Sequence, residues 1–389
     1  MKPLTPDPLP EGIEEALPKQ ARMLEAYRRQ LLDCFEGWGY ALVSPPLVEF
    51  RDALVTGEDA LDRQTFRLTD PLSGRTLGVR TDITPQVARI DRQQMPQDQV
   101  VRLCYAGSVL RAHPEILGGG RNPIQVGAEL YGHEGTQSDA EIILLLCAAL
   151  RTAGCARWCL DMGHAGVFRA LVEQTDWTVQ ECDELFELIQ RKAHADLGAW
   201  LDARPANAPA VEMIRMLPDL SGPDEEVLDR AAQGMEGARE QIQPALETLR
   251  AVAAQVRNVY PEVQLHFDLG EASGFHYESG LVFAAYMEGQ GQEIARGGRY
   301  GAQGERPATG FSLDLRTLAR CGSLDAGERR RIYAAAEEGP ALQDAIAELR
   351  VQGHTVVCGL GPEDSAERSR CPEQLVNEDG AWVVRPAAS

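Results

Sequence analysis

Basic charge is what this 389-residue chain has least of: 38 lysines and arginines stand against 59 aspartates and glutamates, for a net charge of −21. A broad nucleic-acid-binding surface needs clustered basic side chains to meet phosphates, so this balance excludes one while leaving room for a local basic site. Long apolar runs are missing too. None reaches the ~20 residues that cross a bilayer, so no membrane partner is expected. Met1–Glu11 is proline-rich and acidic and lacks the basic and apolar regions of a signal peptide. The nine cysteines, scattered from Cys34 to Cys371, include no Cys-x-x-Cys pair. Their tightest group, Cys147, Cys155 and Cys159, has only His164 nearby, which favours buried reduced thiols over a metal site or a disulfide framework. Phosphate-binding and hydrolytic signatures are absent as well: no Walker loop, no G-x-G-x-x-G after a strand, no G-x-S-x-G, no H-E-x-x-H. No cofactor and no metal are therefore expected. A cytoplasmic protein in a reducing compartment is.

What is present is ordinary globular composition, 44% hydrophobic and 25% charged, with a readable order of elements. Leu24, Tyr27, Leu31, Phe35 and Trp38 recur at helical spacing over 18–38, ended by Gly37 and Gly39. Tyr40–Ser44 reads as a strand stopped by Pro45-Pro46. A hairpin is expected over 64–80 around Asp70-Pro71-Leu72-Ser73-Gly74, and a second strand pair over 100–111 and 122–132. A helix capped by Ser138 follows to 153, then a strand at Trp158–Met162. Residues 165–258 turn helical and acidic. Strands return at Val263–Leu269, Gly280–Tyr286, Glu293–Arg296 and Gly310–Leu313, with helix at 314–320. The tail shows one helix, Pro340–Gln352, and one strand, Thr355–Cys358. Strands do not alternate regularly with helices, so the fold class is α+β with a mixed or antiparallel sheet. The predicted domains are 1–164 with 259–322 as one core, 165–258 as a helical insertion, and 323–389 as a small C-terminal α/β segment.

Three polar clusters lie at strand ends or beside glycines: Arg80–Gln86; Arg111 through Gly118-Gly119-Gly120-Arg121 to Gln125 and Glu129; and Ala295–Tyr300. Such groups suit a small zwitterion. Asp82 and Glu129 offer negative charge to an ammonium, with Thr84 in support. Arg111 offers paired N–H donors to a carboxylate. The Gln125 amide both donates and accepts, and so can orient a polar ring. Gly297 and Gly298 let backbone approach a ligand closely. For each residue taken singly, a solvated charge at a strand end is an equal alternative.

Taken together, Arg80–Gln86, Val109-Leu110-Arg111, Gly120-Arg121, Gln125-x-Gly127-x-Glu129 and Gly297-Gly298-Arg299-Tyr300 resemble the catalytic core of histidyl-tRNA synthetases across roughly residues 10–320. Tyr40–Pro46 resembles the first class II synthetase motif, which implies a dimer interface there. The resemblance implies a class II antiparallel sheet flanked by helices, and a histidine pocket built from Asp82, Thr84, Arg111, Arg121, Gln125, Glu129, Tyr277, Gly297, Gly298 and Arg299. The departures fall on ATP chemistry. Where the second class II motif has Arg-x-Glu, this chain has Arg111-Ala112-His113. The arginine of the first histidine motif falls near Ser273. The ATP-contacting arginine of the third motif falls on Thr317, with Arg316 one residue early and so turned about 100° on a helix.

A kept amino-acid pocket beside a dismantled ATP site resembles the regulatory subunits of ATP phosphoribosyltransferase, which are synthetase paralogues. That resemblance implies a non-catalytic chain with no catalytic residues of its own. It implies a short-form catalytic phosphoribosyltransferase as partner, in a hetero-octamer of four regulatory and four catalytic chains. It also implies feedback inhibition by histidine of the first step of histidine biosynthesis. Two alternatives stay open: an active histidyl-tRNA synthetase-like enzyme forming histidyl-adenylate, and an amino-acid-sensing module for another partner.

Overall fold

The computed structural model describes residues 9–54, 59–114, 120–204, 208–271, 278–288, 293–301, 306–324, 327, 330–336, 339–361 and 368–387. The chain divides into two compact units, Met1–Leu324 and Asp325–Ser389.

The first unit opens with α1 (Pro18–Gly37), which starts on Pro18 at its first turn and buries Leu24, Tyr27, Leu31 and Phe35 along one stripe. The turn after it runs through Gly39 at φ +84°, a backbone region that glycine enters without strain. Then come β1 (Ala41–Leu42), β2 (Val48–Phe50), α2 (Arg51–Leu54), α3 (Asp59–Gln64), β3 (Arg67–Thr69) and β4 (Thr76–Val79). β3 and β4 form the expected hairpin, and β2 joins them in a three-stranded sheet. The middle of the chain supplies α4 (Thr84–Gln94), β5 (Val101–Ser108), β6 (Ile124–Tyr131), α5 (Thr136–Thr152) and β7 (Trp158–His164).

Residues 165–259 are helical: α6 (Ala165–Val172), α7 (Val179–Gln190), α8 (His194–Asp202), α9 (Ala208–Met216), α10 (Glu226–Gly234) and α11 (Arg239–Val259). They are interrupted by the two-residue strand β8 (Ser221–Gly222). β9 (Gln264–Asp268), β10 (Glu278–Met287), β11 (Glu293–Tyr300), β12 (Ala308–Asp314) and α12 (Leu315–Cys321) complete the unit. α12 is capped by Asp314, whose carboxylate accepts from the backbone N–H groups of Arg316 and Thr317.

The main sheet has nine strands in the order β1-β5-β6-β12-β11-β10-β7-β9-β8. Its centre, from β5 to β7, is antiparallel, while β1 pairs with β5 and β7 with β9 in parallel. The period-2 rule divides its two faces. Val126, Ala128 and Leu130 share a core with Phe283, Phe311, the stripe of α1, Ile142 and Leu146 of α5, and Leu249, Val252 and Val256 of α11. The alternate residues Tyr105, Tyr131 and Tyr300 cluster on the other face with Ile83 and Val87, beside the start of α4. Long helices therefore cover one face, and the second face is left for the polar clusters.

Two local expectations are corrected. α5 begins at Thr136 with Gly135 as its N-cap, and Ser138 lies inside its first turn. The Ser138 hydroxyl bonds to the Gly135 carbonyl and accepts from Arg299, so it is held by tertiary contacts. The 40–44 strand shrinks to Ala41–Leu42 at the sheet edge.

The second unit holds β13 (Arg331–Ala334), α13 (Pro340–Val351), β14 (Thr355–Cys358), β15 (Glu373–Glu378) and β16 (Ala381–Pro386). Its sheet runs β14-β13-β15-β16 around Ile332, Leu342, Ile346, Val356 and Leu375. The sequence reading missed three of those four strands. The β15–β16 turn, Asp379-Gly380 at φ +51° and +88°, was legible all along as an Asp-Gly hairpin signal.

Candidate functional site

The second face of the sheet is organised by two cross-strand rows. One runs Leu103, Glu129, Gly310, Gly298 and Val282 across β5, β6, β12, β11 and β10. Its neighbour runs Val101, Tyr131, Ala308, Tyr300 and Glu278. Opposed residues in an antiparallel ladder share a face, so Glu129, Tyr131, Tyr300 and Glu278 point the same way.

Glu129 is the centre of this patch and is 1% exposed. Its Oε1 accepts from the Thr84 hydroxyl at 3.1 Å and the Tyr105 hydroxyl at 3.2 Å. Its Oε2 accepts from the Tyr300 hydroxyl at 2.8 Å, and the Tyr131 hydroxyl lies 3.1 Å beyond. No cation is among these partners. Burial therefore dominates and pushes the carboxyl up to about 8, against the pull of the Tyr300, Thr84 and Tyr105 hydroxyls. Two glycines make the arrangement possible: a β-carbon at Gly310 would collide with Glu129 Oε2, and one at Gly127 with the Tyr105 hydroxyl.

Asp82, Thr84 and Gln125 are brought together beside Glu129. Gln125 Oε1 accepts from the Ile83 N–H and its Nε2 donates to Asp82 Oδ1, both at 2.8 Å. Asp82 Oδ1 also accepts from the Thr84 N–H at 2.9 Å. Gln125 thus braces the turn that delivers Asp82 and Thr84. Arg80, from the same cluster, ties strands together: it donates to the Ser108 carbonyl at 2.9 Å and the Pro45 carbonyl at 2.8 Å.

The arginines divide by environment. Arg111 is half-buried just beyond β5, and its N–H donates to the Arg121 carbonyl. Arg121 Nε returns a bond to the Arg111 carbonyl at 3.0 Å, its Nη1 donates to the Glu11 carbonyl, and its guanidinium stands over Phe66. It anchors the loop and the chain's first described residues around Arg111. Arg316 takes part in the same anchoring through the carbonyls of Asn122 and Glu14, while Thr317 bonds to Asp314.

Arg299 and Gly297 are corrections to the expected pocket. They alternate with Gly298 and Tyr300 and therefore face the helices. Arg299 pairs with Asp139 at 2.9 Å and donates to Ser138 Oγ and the carbonyls of His133 and Gly135, so α5 consumes its donors. Gly297 makes room for Phe283 and Phe311. Only Gly298 of the glycine pair belongs to the site face. Tyr277, Gly118 and Gly119 lie outside the described residues. Sequence reasoning did not assign Tyr105, Tyr131, Tyr300, Glu278 or Gly310 to the site. The alternation of Gly127 with Glu129 and of Gly298 with Tyr300 carried that signal.

Comparison with known proteins adds family to geometry. Residues 12–318 match the family model of histidyl-tRNA synthetase, and residues 329–385 match the model of the ATP phosphoribosyltransferase subunit HisZ C-terminal domain. The chain is 48% identical to an ATP phosphoribosyltransferase regulatory subunit of Thioalkalivibrio sulfidiphilus, with 97% of each chain covered. It is 47% identical to that of Alkalilimnicola ehrlichii, covering 97% of this chain and 96% of the relative. Among solved structures, an ATP phosphoribosyltransferase regulatory subunit/histidyl-tRNA synthetase from Bacillus halodurans shares the fold at TM-score 0.83 and 23% identity, covering 96% of this chain and 98% of that one. A chain of the Thermotoga maritima ATP phosphoribosyl transferase (HisG:HisZ) complex does so at TM-score 0.58 and 16% identity, over 74% of this chain and 96% of that one. Identity near one half over almost the whole length, with both family models in their places, shows that this chain belongs to the family of ATP phosphoribosyltransferase regulatory subunits.

Proposed function

We propose that this regulatory subunit holds free histidine on the sheet face around Glu129 and passes the occupancy of that pocket to a short-form catalytic ATP phosphoribosyltransferase chain. The observation that carries the reading is the Glu129 carboxyl, buried among three hydroxyls with no cation among its described partners. A buried acid in that state is matched by a ligand that brings positive charge and N–H donors. Asp82, Thr84 and Glu129 receive the ammonium, and Arg111, braced by Arg121, receives the carboxylate. Gln125 holds the turn beneath. Feedback then follows by linkage: histidine favours one state of the assembly, and a coupling of about 1–3 kcal/mol is the usual size of such effects.

The ATP side of the old synthetase site supports a role in regulation over one in aminoacylation. Adenylate formation needs cations aimed at phosphates in the transition state. Here Thr317 is occupied by Asp314, and Arg316 by the Asn122 and Glu14 carbonyls.

Assembly with the catalytic chain in a four-plus-four hetero-octamer is proposed on family membership. A dimer through the 40–50 region fits the exposed apolar edge formed by Trp38, Leu42 and Leu47. The boundaries 1–164 with 259–322, 165–258 and 323–389 are kept as the proposed domains. Among the described residues no helix is long and apolar enough to cross a membrane, in keeping with a proposed cytoplasmic setting.

Calorimetric titration of histidine into the full chain, alone and with its catalytic partner, tests this reading. Saturable binding that inhibits the assembled enzyme is expected. No binding, or histidine-dependent pyrophosphate exchange with ATP, overturns it.

A further inference from the structure

The turn that delivers Asp82 and Thr84 is hung from a second segment of the chain. Arg80 stands at its start and Gln86, in the first turn of α4, at its end. Both are buried, at 7% and 1% exposure. Between them they take three consecutive carbonyls. Arg80 Nη1 donates to the Pro45 carbonyl at 2.8 Å, Gln86 Nε2 to the Pro46 carbonyl at 2.8 Å, and the Arg80 backbone N–H to the Leu47 carbonyl at 3.0 Å. The two side chains also meet, with Arg80 Nη1 3.4 Å from Gln86 Oε1. On its inner side the same turn bonds to the pocket, through the Ile83 N–H to Gln125 and the Thr84 hydroxyl to Glu129.

This clamp resists a shift of either partner alone. Arg80 is a buried cation whose described hydrogen-bond partners are all neutral: the Ser108 and Pro45 carbonyls and Gln86. Taking an acceptor from a buried charge costs more than taking one from a neutral group. Its Nη2 fits only because residue 107 is glycine, where a β-carbon would collide with it. Pro45-Pro46 is stiff, since each ring fixes φ. The segment therefore moves as one piece. It runs on from β1, and the Val43 N–H ties it to the Cys104 carbonyl of β5. β1 is an end strand of the main sheet, and Leu42 and Leu47 stand 56% and 48% exposed beside it. This is the edge proposed above to meet a second copy.

We propose that Arg80 and Gln86 are positioning residues that link the pocket to the subunit edge. A ligand that settles on Asp82 and Thr84 fixes the turn and, through three carbonyls, fixes residues 41–47. This rests on the histidine reading above and adds to it the route by which occupancy leaves the pocket. A ligand that orders a segment lowers the cost of ordering for whatever binds there next. Histidine therefore firms the edge for its neighbour, and by reciprocity the neighbour favours histidine.

The test is hydrogen exchange, read by mass spectrometry on the full chain with and without saturating histidine. Two stretches are compared: 124–131, which carries Gln125 and Glu129, and 38–47, which carries the edge. In the unaltered chain histidine slows exchange in both, by roughly fivefold or more at the edge, the lower end of ordinary coupling. Gln86→Met keeps the length of the side chain and removes its donor and acceptor. Histidine affinity then falls by no more than about tenfold, the reach of one hydrogen bond. At saturation the slowing persists at 124–131 and is lost at 38–47. Pro46→Gly, at an exposed position, puts a soft joint in the segment; it weakens the edge response with the buried side chains untouched and guards against misfolding of Gln86→Met. A purely structural Gln86 would leave the ratio of the two responses unchanged. An edge that ignores histidine in the unaltered chain while 124–131 responds, or an edge response undiminished in both variants, overturns the inference and leaves the pocket reading standing. Failure of the unaltered chain to bind histidine overturns the pocket reading, and this inference with it.

Discussion

On the helix-covered face of the nine-stranded sheet, Arg299 meets Asp139 at 2.9 Å and spends its remaining donors on Ser138 and two carbonyls. On the opposite face, one residue along the same strand, Tyr300 gives its hydroxyl to Glu129, an acid with no cation among its described hydrogen-bond partners. Both faces bury an acid, but only the first pairs it with a cation among the described residues. A closed buried ion pair is a structural element: it sets where α5 begins. An open buried acid is a site whose counter-charge comes from outside. Adjacent residues of one glycine-rich motif therefore do different work, and the sheet's period of two separates them.

Four substitutions or conditions bear on that contrast. Arg299→Ala leaves Asp139 buried and uncompensated and costs ~3–5 kcal/mol of stability. Denaturant unfolding should show that loss, while the folded fraction still binds histidine. A variant that stays stable but no longer binds would place Arg299 back in the pocket.

Glu129→Ala removes the ammonium's principal partner, and a loss of more than about 100-fold in histidine affinity is expected, ~2.7 kcal/mol or more. Calorimetry that found the affinity intact would break the reading of the second face. Gly310→Ala inserts a methyl where Glu129 Oε2 lies. Overpacking of this kind costs about 1–3 kcal/mol, and here much of it should appear as weakened histidine binding.

The mildest effect is that of pH. Free Glu129, with its carboxyl near 8, is mostly protonated at pH 7, whereas a bound ammonium favours the ionised form. Histidine binding at pH 7 should therefore release a proton, in addition to any exchanged by the ligand itself. Affinity should strengthen as pH rises to about 8 and then level off. Below 8 it should fall by up to about tenfold per unit, since one unit is ~1.4 kcal/mol. Titrations in buffers of different ionisation heats count the protons; no release would show that Glu129 is already charged.

The sequence made much of this legible. The helix at 18–38, the hairpin within 64–80, the strands within 100–111 and 122–132 and the helix ending near 153 followed from apolar spacing and turn residues, whereas β2, α2, α3 and α4 were not marked. Asp82, Thr84, Gln125 and Glu129 were marked by acids and amides set beside glycines in strand context. Gly297-Gly298-Arg299-Tyr300 was marked as a motif, yet its four residues were not sorted. Their alternation was visible, but which parity faces the helices depends on α1, α5 and α11 packing on that side, and no local pattern states it. Tyr105 was not marked, because only the strand pairing sets it opposite Gly127, which leaves room for its hydroxyl beside Glu129. In the second unit, β13 and β15 bury Ile332, Ala334 and Leu375 in one cluster with Leu342 and Ile346 of α13, contacts that no local pattern states.

The sequence by itself determined the family, the absence of the usual cofactor loops, and which residue types gather around the second class II motif. The first rests on motifs that resemble a known family, and the others on local pattern. The tertiary structure alone decided which charges are satisfied. Whether a buried acid is a finished ion pair, like Asp139, or an open acceptor, like Glu129, depends on which donors lie within about 3 Å across strands far apart in the chain.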